Sequence, residues 1–112
     1  MKKRNKFNAK KTIVNGITFD SKKEALYYTN LLLCKRTSLL KDKVLEIELQ
    51  PRYDIIVNKK KIGFYKADFK VKYHDRVEII DVKGLKKGAA YQIFRLKKKL
   101  VEALYNIEII EV

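Results

Sequence analysis

Apolar and polar residues alternate in register with two different periods along the chain, and the changes of period mark the elements. Thr12-Ile13-Val14 and Ile17-Thr18-Phe19 flank Asn15-Gly16, a dipeptide that accepts the positive φ angles of a two-residue hairpin turn. Ser21-Lys22-Lys23-Glu24 then forms a capping box, in which Ser21 and Glu24 satisfy the free amides of a starting helix. That helix is predicted to run to about Arg36, with Glu24, Tyr27, Tyr28 and Leu31 on the stripe that faces the core.

From Val44 onward the pattern turns to strands: Val44 to Gln50, Arg52 to Val57, a polar turn at Asn58 to Lys60, a long run from Lys61 to Tyr73, and Val77 to Lys83. Pro51 donates no hydrogen bond to a ladder, so it marks an edge or the break between the first two of these segments. A turn at His74-Asp75 or Asp75-Arg76 precedes the last. After a loop at Gly84 to Gly88, Ala89 to Tyr105 reads as a helix whose stripe is Ile93, Leu96, Leu100 and Leu104, and Ile107 to Val112 closes the chain as a strand. The order of elements predicts an α/β (α+β) domain: one mixed sheet flanked by two helices, opened by a hairpin.

With 112 residues, this is one domain, 12–112, preceded by a basic arm at 1–11. No apolar run approaches the roughly 20 residues that span a bilayer, and no apolar stretch follows the basic start as in a secretory signal. The single cysteine, Cys34, makes no internal disulfide, which fits a reducing cytoplasm. Twenty-seven lysines and arginines against 13 acids give a net charge of +14, so a polyanion is the expected partner and nucleic acid comes first. Lys86, Lys87, Arg95, Lys98 and Lys99 around the second helix are the candidate phosphate contacts, although a solvated helix face reads the same way.

Candidate chemistry sits where charges interrupt apolar stripes. Asp81 and Lys83 continue the face of Val77 and Ile79, since strand side chains alternate with period two. Asp68 breaks the run around Phe69 and Val71. If His74 and Asp75 alone form the turn, Asp68 lies directly opposite Asp81 with side chains roughly 5 Å apart; a three-residue loop would send the two acids to opposite faces. The same register sets Lys70 opposite Ile79 and Lys72 opposite Val77, which requires those lysines to reach solvent or a bulge to intervene. Charges at the ends of buried stripes are costly unless paired or metal-bound. Asp68 and Asp81, with the Val82 carbonyl, form a hard-oxygen set suited to Mg²⁺ or Mn²⁺, and Lys83 stands where it could orient a water or stabilise a phosphorane-like oxygen. Glu24 is a further acid on the core-facing side of its helix, unless capping is its whole role.

Taken together, Glu24 on the first helix, Asp68, and Asp81-Val82-Lys83-Gly84 before the second helix resemble the PD-(D/E)XK nuclease superfamily, with its αβββαβ core. More narrowly, Arg4-Asn5-Lys6, Asn8-Ala9-Lys10-Lys11, the block Gly16 to Glu24, Leu49-Gln50-Pro51, Ala67-Asp68-Phe69 and Asp81 to Gly84 resemble small phage-encoded proteins of that superfamily. The resemblance implies a restriction-endonuclease-like fold and Mg²⁺- or Mn²⁺-dependent hydrolysis of DNA phosphodiesters. In that reading Asp68 and Asp81 are ligands, Lys83 acts on the water, and Glu24 is the helix-borne acid. It implies a phage protein acting in the host cytoplasm on DNA, branched intermediates included, with cleavage of both strands requiring a homodimer or successive nicks. Ala67 stands where the family name has proline, and Asp81 where many members have glutamate. The alternative is a basic nucleic-acid-binding module that keeps the fold without the reaction.

Overall fold

The structure, a computed structural model, describes residues 11–36, 43–84 and 86–112. In chain order the elements are β1 (Thr12–Val14), β2 (Ile17–Phe19), α1 (Lys22–Arg36), β3 (Val44–Leu49), β4 (Arg52–Val57), β5 (Lys60–Lys66), β6 (Phe69–Tyr73), β7 (Val77–Asp81), α2 (Ala89–Tyr105) and β8 (Ile109–Glu111). The mixed α+β class expected from the alternating periods is present. The basic arm lies almost wholly outside the described residues.

Both short turns carry the chemistry that their sequence requires. Asn15 and Gly16 have φ of 50° and 77°, the left-handed region in which glycine meets no Cβ penalty, and β1 and β2 pair from Thr12↔Phe19 to Val14↔Ile17. Asn58 and Lys59 turn β4 into β5 with φ of 50° and 66°. Ser21 Oγ accepts from the Glu24 N–H at 3.1 Å, which starts α1.

Among the described residues, three sheets stand where a single one is expected. The central sheet has the order β3-β6-β7-β8, and β1-β2 and β4-β5 are separate two-stranded ribbons. The run from Lys61 to Tyr73 is divided because the chain bends at Ala67 and Asp68, directly across from a second bend at Gln50 and Pro51. Gln50 is left-handed, with φ of 51°, and Pro51 brings no N–H. Pairing nevertheless continues through the corner, since the Ala67 N–H donates to the Pro51 carbonyl at 3.1 Å and the Gln50 N–H to the Asp68 carbonyl at 3.0 Å. The bend also changes which layer the odd-numbered residues enter: Tyr65 and Ala67 pack with α2, whereas Phe69 and Val71 pack with α1.

The central sheet is covered on both faces by different cores. On one face Phe69, Val71 and Ile80 pack against Ala25, Tyr28 and Leu31 of α1 and Phe19 of the hairpin. On the other, Ile79 and Ile109 meet Phe94 and Val101 of α2, with Ile55 and Tyr65 from the β4-β5 ribbon. Strand β8 is parallel to β7, paired from Ile79↔Ile109 to Asp81↔Glu111, so α2 is the crossover between them. The expected stripe of α2 is a correction. Ile93, Leu96 and Leu104 are exposed, and the helix buries Phe94 and Val101 instead. Two apolar series interleave on this helix, and the aromatic one wins because Phe94 meets Tyr91 at 5.8 Å and Tyr65 at 6.1 Å between ring centroids.

Candidate active site

The register of β6 and β7 decides whether the two aspartates meet. Phe69↔Ile80, Lys70↔Ile79, Val71↔Glu78 and Lys72↔Val77 are partners, and the Tyr73 N–H donates to the Arg76 carbonyl at 2.8 Å, closing a turn of His74 and Asp75 alone. The ladder ends at Phe69↔Ile80; at the bend beyond it the Asp68 N–H donates to the Ile80 carbonyl at 3.0 Å, which keeps Asp68 beside the end of β7 and Asp81. No register shift separates β6 from β7. Lys70 and Lys72 are instead accommodated because that half of the sheet face is open to solvent, and they lie opposite Glu48 and Glu46 of β3.

Asp81 is buried, at 4% exposure, and both of its oxygens are engaged. Lys83 Nζ lies 3.1 Å from Oδ1, and the Tyr65 hydroxyl donates to Oδ2. The Lys83 ammonium is also held 3.7 Å from the centroid of the Phe94 ring, a cation–π contact that fixes a flexible side chain. Asp68 accepts the Val82 N–H through Oδ2 at 2.7 Å. The segment after β7 is anchored by the chain terminus: the Lys83 N–H donates to the Val112 carbonyl and the Val112 N–H to the Asp81 carbonyl, each at 3.0 Å. Lys23 of α1 clamps the same segment, donating from Nζ to the carbonyls of Lys83 at 2.6 Å and Val112 at 3.1 Å.

The electrostatics follow from packing carboxylates together away from water. Burial, then the negative charge of Asp81, pushes the Asp68 carboxyl up to about 7, although the Val82 N–H works against the rise. Glu24 is also raised, chiefly by burial and then by the charge of Asp20. Burial and the hydrogen bond to Asp81 hold the Tyr65 phenol well above its ordinary value, so it stays a donor.

Asp68 stands between two clefts. One, of about 320 Å³, brings Asp68, Asp81 and Lys83 together with Phe64, Tyr65, Lys66 and Lys97. The other, of about 180 Å³, holds Asp68 with Glu24 and Asp20. Glu24 therefore meets Asp68 from the α1 side and does not line the cleft of Lys83. A larger cleft of about 690 Å³, around Tyr53, Arg76 and Tyr105, shares no residue with the first.

Of the basic residues expected to meet phosphate, Lys86, Lys87, Arg95 and Lys99 are exposed, and none lines the Asp68–Asp81 cleft. Lys98 is committed to Glu111 at 3.0 Å. Although burial opposes it, the charge of Glu111 is favoured by hydrogen bonds from Lys98 and Tyr91, which leave its pKa below the ordinary value. Besides Lys83, the cations lining the cleft are Lys66 and Lys97, and neither these two nor Tyr65 is among the residues the sequence singles out.

The family model described as "Protein of unknown function (DUF1064)" matches residues 4–110. The chain belongs to that family. The match spans β1 through most of β8 and so includes every residue of both clefts. No curated protein and no solved structure matches the chain.

The side chains present fit a hard divalent cation. Two neighbouring aspartates, one of them pushed toward neutrality by burial and then by its neighbour's charge, would gain from a cation between them. Among the described residues no three His, Cys, Asp or Glu side chains are grouped closely enough to hold a metal by themselves.

Proposed function

We propose that the protein is a metal-dependent DNA endonuclease of the PD-(D/E)XK type. The observation that carries this reading is the single cleft in which Asp68 lies beside Asp81 and Lys83 lies 3.1 Å from Asp81. The central sheet supports it too: with the β4-β5 ribbon set aside as an insertion, α1, the antiparallel strands β3, β6 and β7, the crossover α2 and parallel β8 follow the αβββαβ scheme.

In this reading Asp68, Asp81 and the Val82 carbonyl hold Mg²⁺ or Mn²⁺. The bound cation supplies charge against the phosphate oxygens and acidifies a water. Lys83, aligned by Asp81 and the Phe94 ring, donates to the attacking water or to a non-bridging oxygen of the phosphate. Tyr65 keeps Asp81 in place by donating to its far oxygen. Lys66 and Lys97 neutralise flanking phosphates at the cleft rim. Glu24 shares the second cleft with Asp68 and adds negative charge behind it.

Purified protein is expected to nick supercoiled DNA with Mg²⁺ or Mn²⁺ and to stop in EDTA. Lys83→Ala and Asp81→Ala are expected to lower the rate by a factor of about 10² or more while retaining circular dichroism like that of the wild type. Unchanged cleavage by both variants, or by wild type in EDTA, would sink the proposal. A second reading, a nucleic-acid-binding module without the reaction, draws on the engagement of both Asp81 oxygens by Lys83 and Tyr65. It predicts DNA binding with no Mg²⁺-dependent nicking.

A further inference from the structure

Phe64 is out of place as a core residue. It lies on β5 with 41% of its surface exposed, and its ring forms part of the wall of the cleft that holds Asp68, Asp81 and Lys83. Its neighbour Tyr65 takes the buried position of the strand, so Phe64 is left on the solvent side by alternation. Three cations surround the ring: the Arg52 guanidinium lies 4.1 Å from the centroid, Lys97 Nζ 5.7 Å and Lys66 Nζ 6.0 Å. Asp54 orients the arginine, accepting from its Nε at 3.2 Å.

A planar apolar surface inside a cluster of positive charge matches one ligand chemistry closely. A nucleotide offers an aromatic face for the ring and a phosphate for the cations, and proteins that hold single strands combine these two contacts. A base inside an intact duplex has both faces covered by its neighbours, and exposing one requires unstacking and unpairing it. We propose that Phe64 is a stacking platform for an unpaired nucleobase, so that this cleft selects nucleic acid with single-stranded nucleotides beside the acids over fully paired duplex. The inference deepens the nuclease reading, on which it rests only for placing the scissile phosphate next to that base.

The chain contains no tryptophan, so Phe64→Trp introduces a single indole reporter at the platform. In EDTA, a short oligothymidylate is expected to quench that indole, and a blunt duplex of the same length is not. By anisotropy of end-labelled probes, Phe64→Ala is expected to bind the oligothymidylate about tenfold or more weakly, with duplex affinity changed by less than about twofold, because phosphate contacts dominate there. If Phe64→Ala fails to fold by circular dichroism, Phe64→Leu keeps the bulk without the aromatic face and is expected to show the same loss. Binding of the oligothymidylate with no quenching, or equal loss for both probes, overturns the platform. Nicking with Mg²⁺, measured on the same preparations, separates the two claims. Quenching without nicking removes the nuclease and keeps the platform; nicking without quenching does the reverse.

Discussion

Asp68→Asn should stabilise the protein, and by an amount that depends on pH. The carboxyl of Asp68 is raised from its ordinary 3.8 to about 7, by burial first and by Asp81 next. The folded protein thus retains a proton that the unfolded chain releases, and stability is lost as pH rises through that interval. Below pH about 4 the penalty is absent; it grows between about 4 and 7 and is constant above. Fully desolvated, a displacement of that size corresponds to about 4 kcal/mol. Asp68 keeps part of its contact with solvent, and screening reduces the figure to about 2 kcal/mol. Asparagine keeps an oxygen for the Val82 N–H and brings no charge. Urea unfolding of wild type and Asp68→Asn in EDTA, at several pH values from 4 to 8.5, measures the difference directly. The expected result is near equality at the acid end and a gap of about 2 kcal/mol in favour of the variant above pH 7. A variant that is less stable at every pH, or a gap that does not widen, would refute the reasoning.

Two further substitutions separate support of the site from support of the fold. Tyr65→Phe removes the donor to Asp81 Oδ2 and leaves a buried acceptor unsatisfied, so it is expected to cost about 1–3 kcal/mol in urea unfolding at pH 7 and to slow nicking; unchanged stability would mean that this bond contributes nothing. Phe69→Ala removes a fully buried ring that contacts Phe19, Tyr27 and Tyr28, and about 3–5 kcal/mol should be lost. A loss under about 1 kcal/mol there would contradict the α1-side core.

The parts of the fold that depend on local chemistry were legible in the sequence. Asn15-Gly16 and Ser21 each act within a few residues, whereas the sequence leaves the turn after β6 open between His74-Asp75 and Asp75-Arg76, and with it whether Asp68 and Asp81 share a face. Features set by distant packing were not legible. Nothing within Lys61 to Tyr73 signals the corner at Ala67-Asp68, because its cause lies across the ribbon in the left-handed Gln50 and in Pro51. The buried face of α2 differs from the expected one for a similar reason: Ile93, Leu96 and Leu104 are as regularly spaced as Phe94 and Val101, and only partners on distant strands, Tyr65, Ile79 and Ile109, break the tie. At the site, Asp81 and Lys83 could be paired from period two alone. Tyr65 could not be added, since it reaches Asp81 from a strand of another sheet. Lys98 looked free in sequence because its partner, Glu111, lies on the strand that follows the helix.

Divalent-cation binding at the paired aspartates is the claim from which the rest follows. Titration of Mn²⁺ into isotopically labelled protein, followed by paramagnetic broadening of backbone amide signals, reads it residue by residue. The account predicts early loss of the signals of Asp68, Asp81, Val82 and Lys83, reversed by excess Mg²⁺ and absent in Asp81→Asn. Uniform broadening across the acidic surface, or the same local loss in Asp81→Asn, would contradict it.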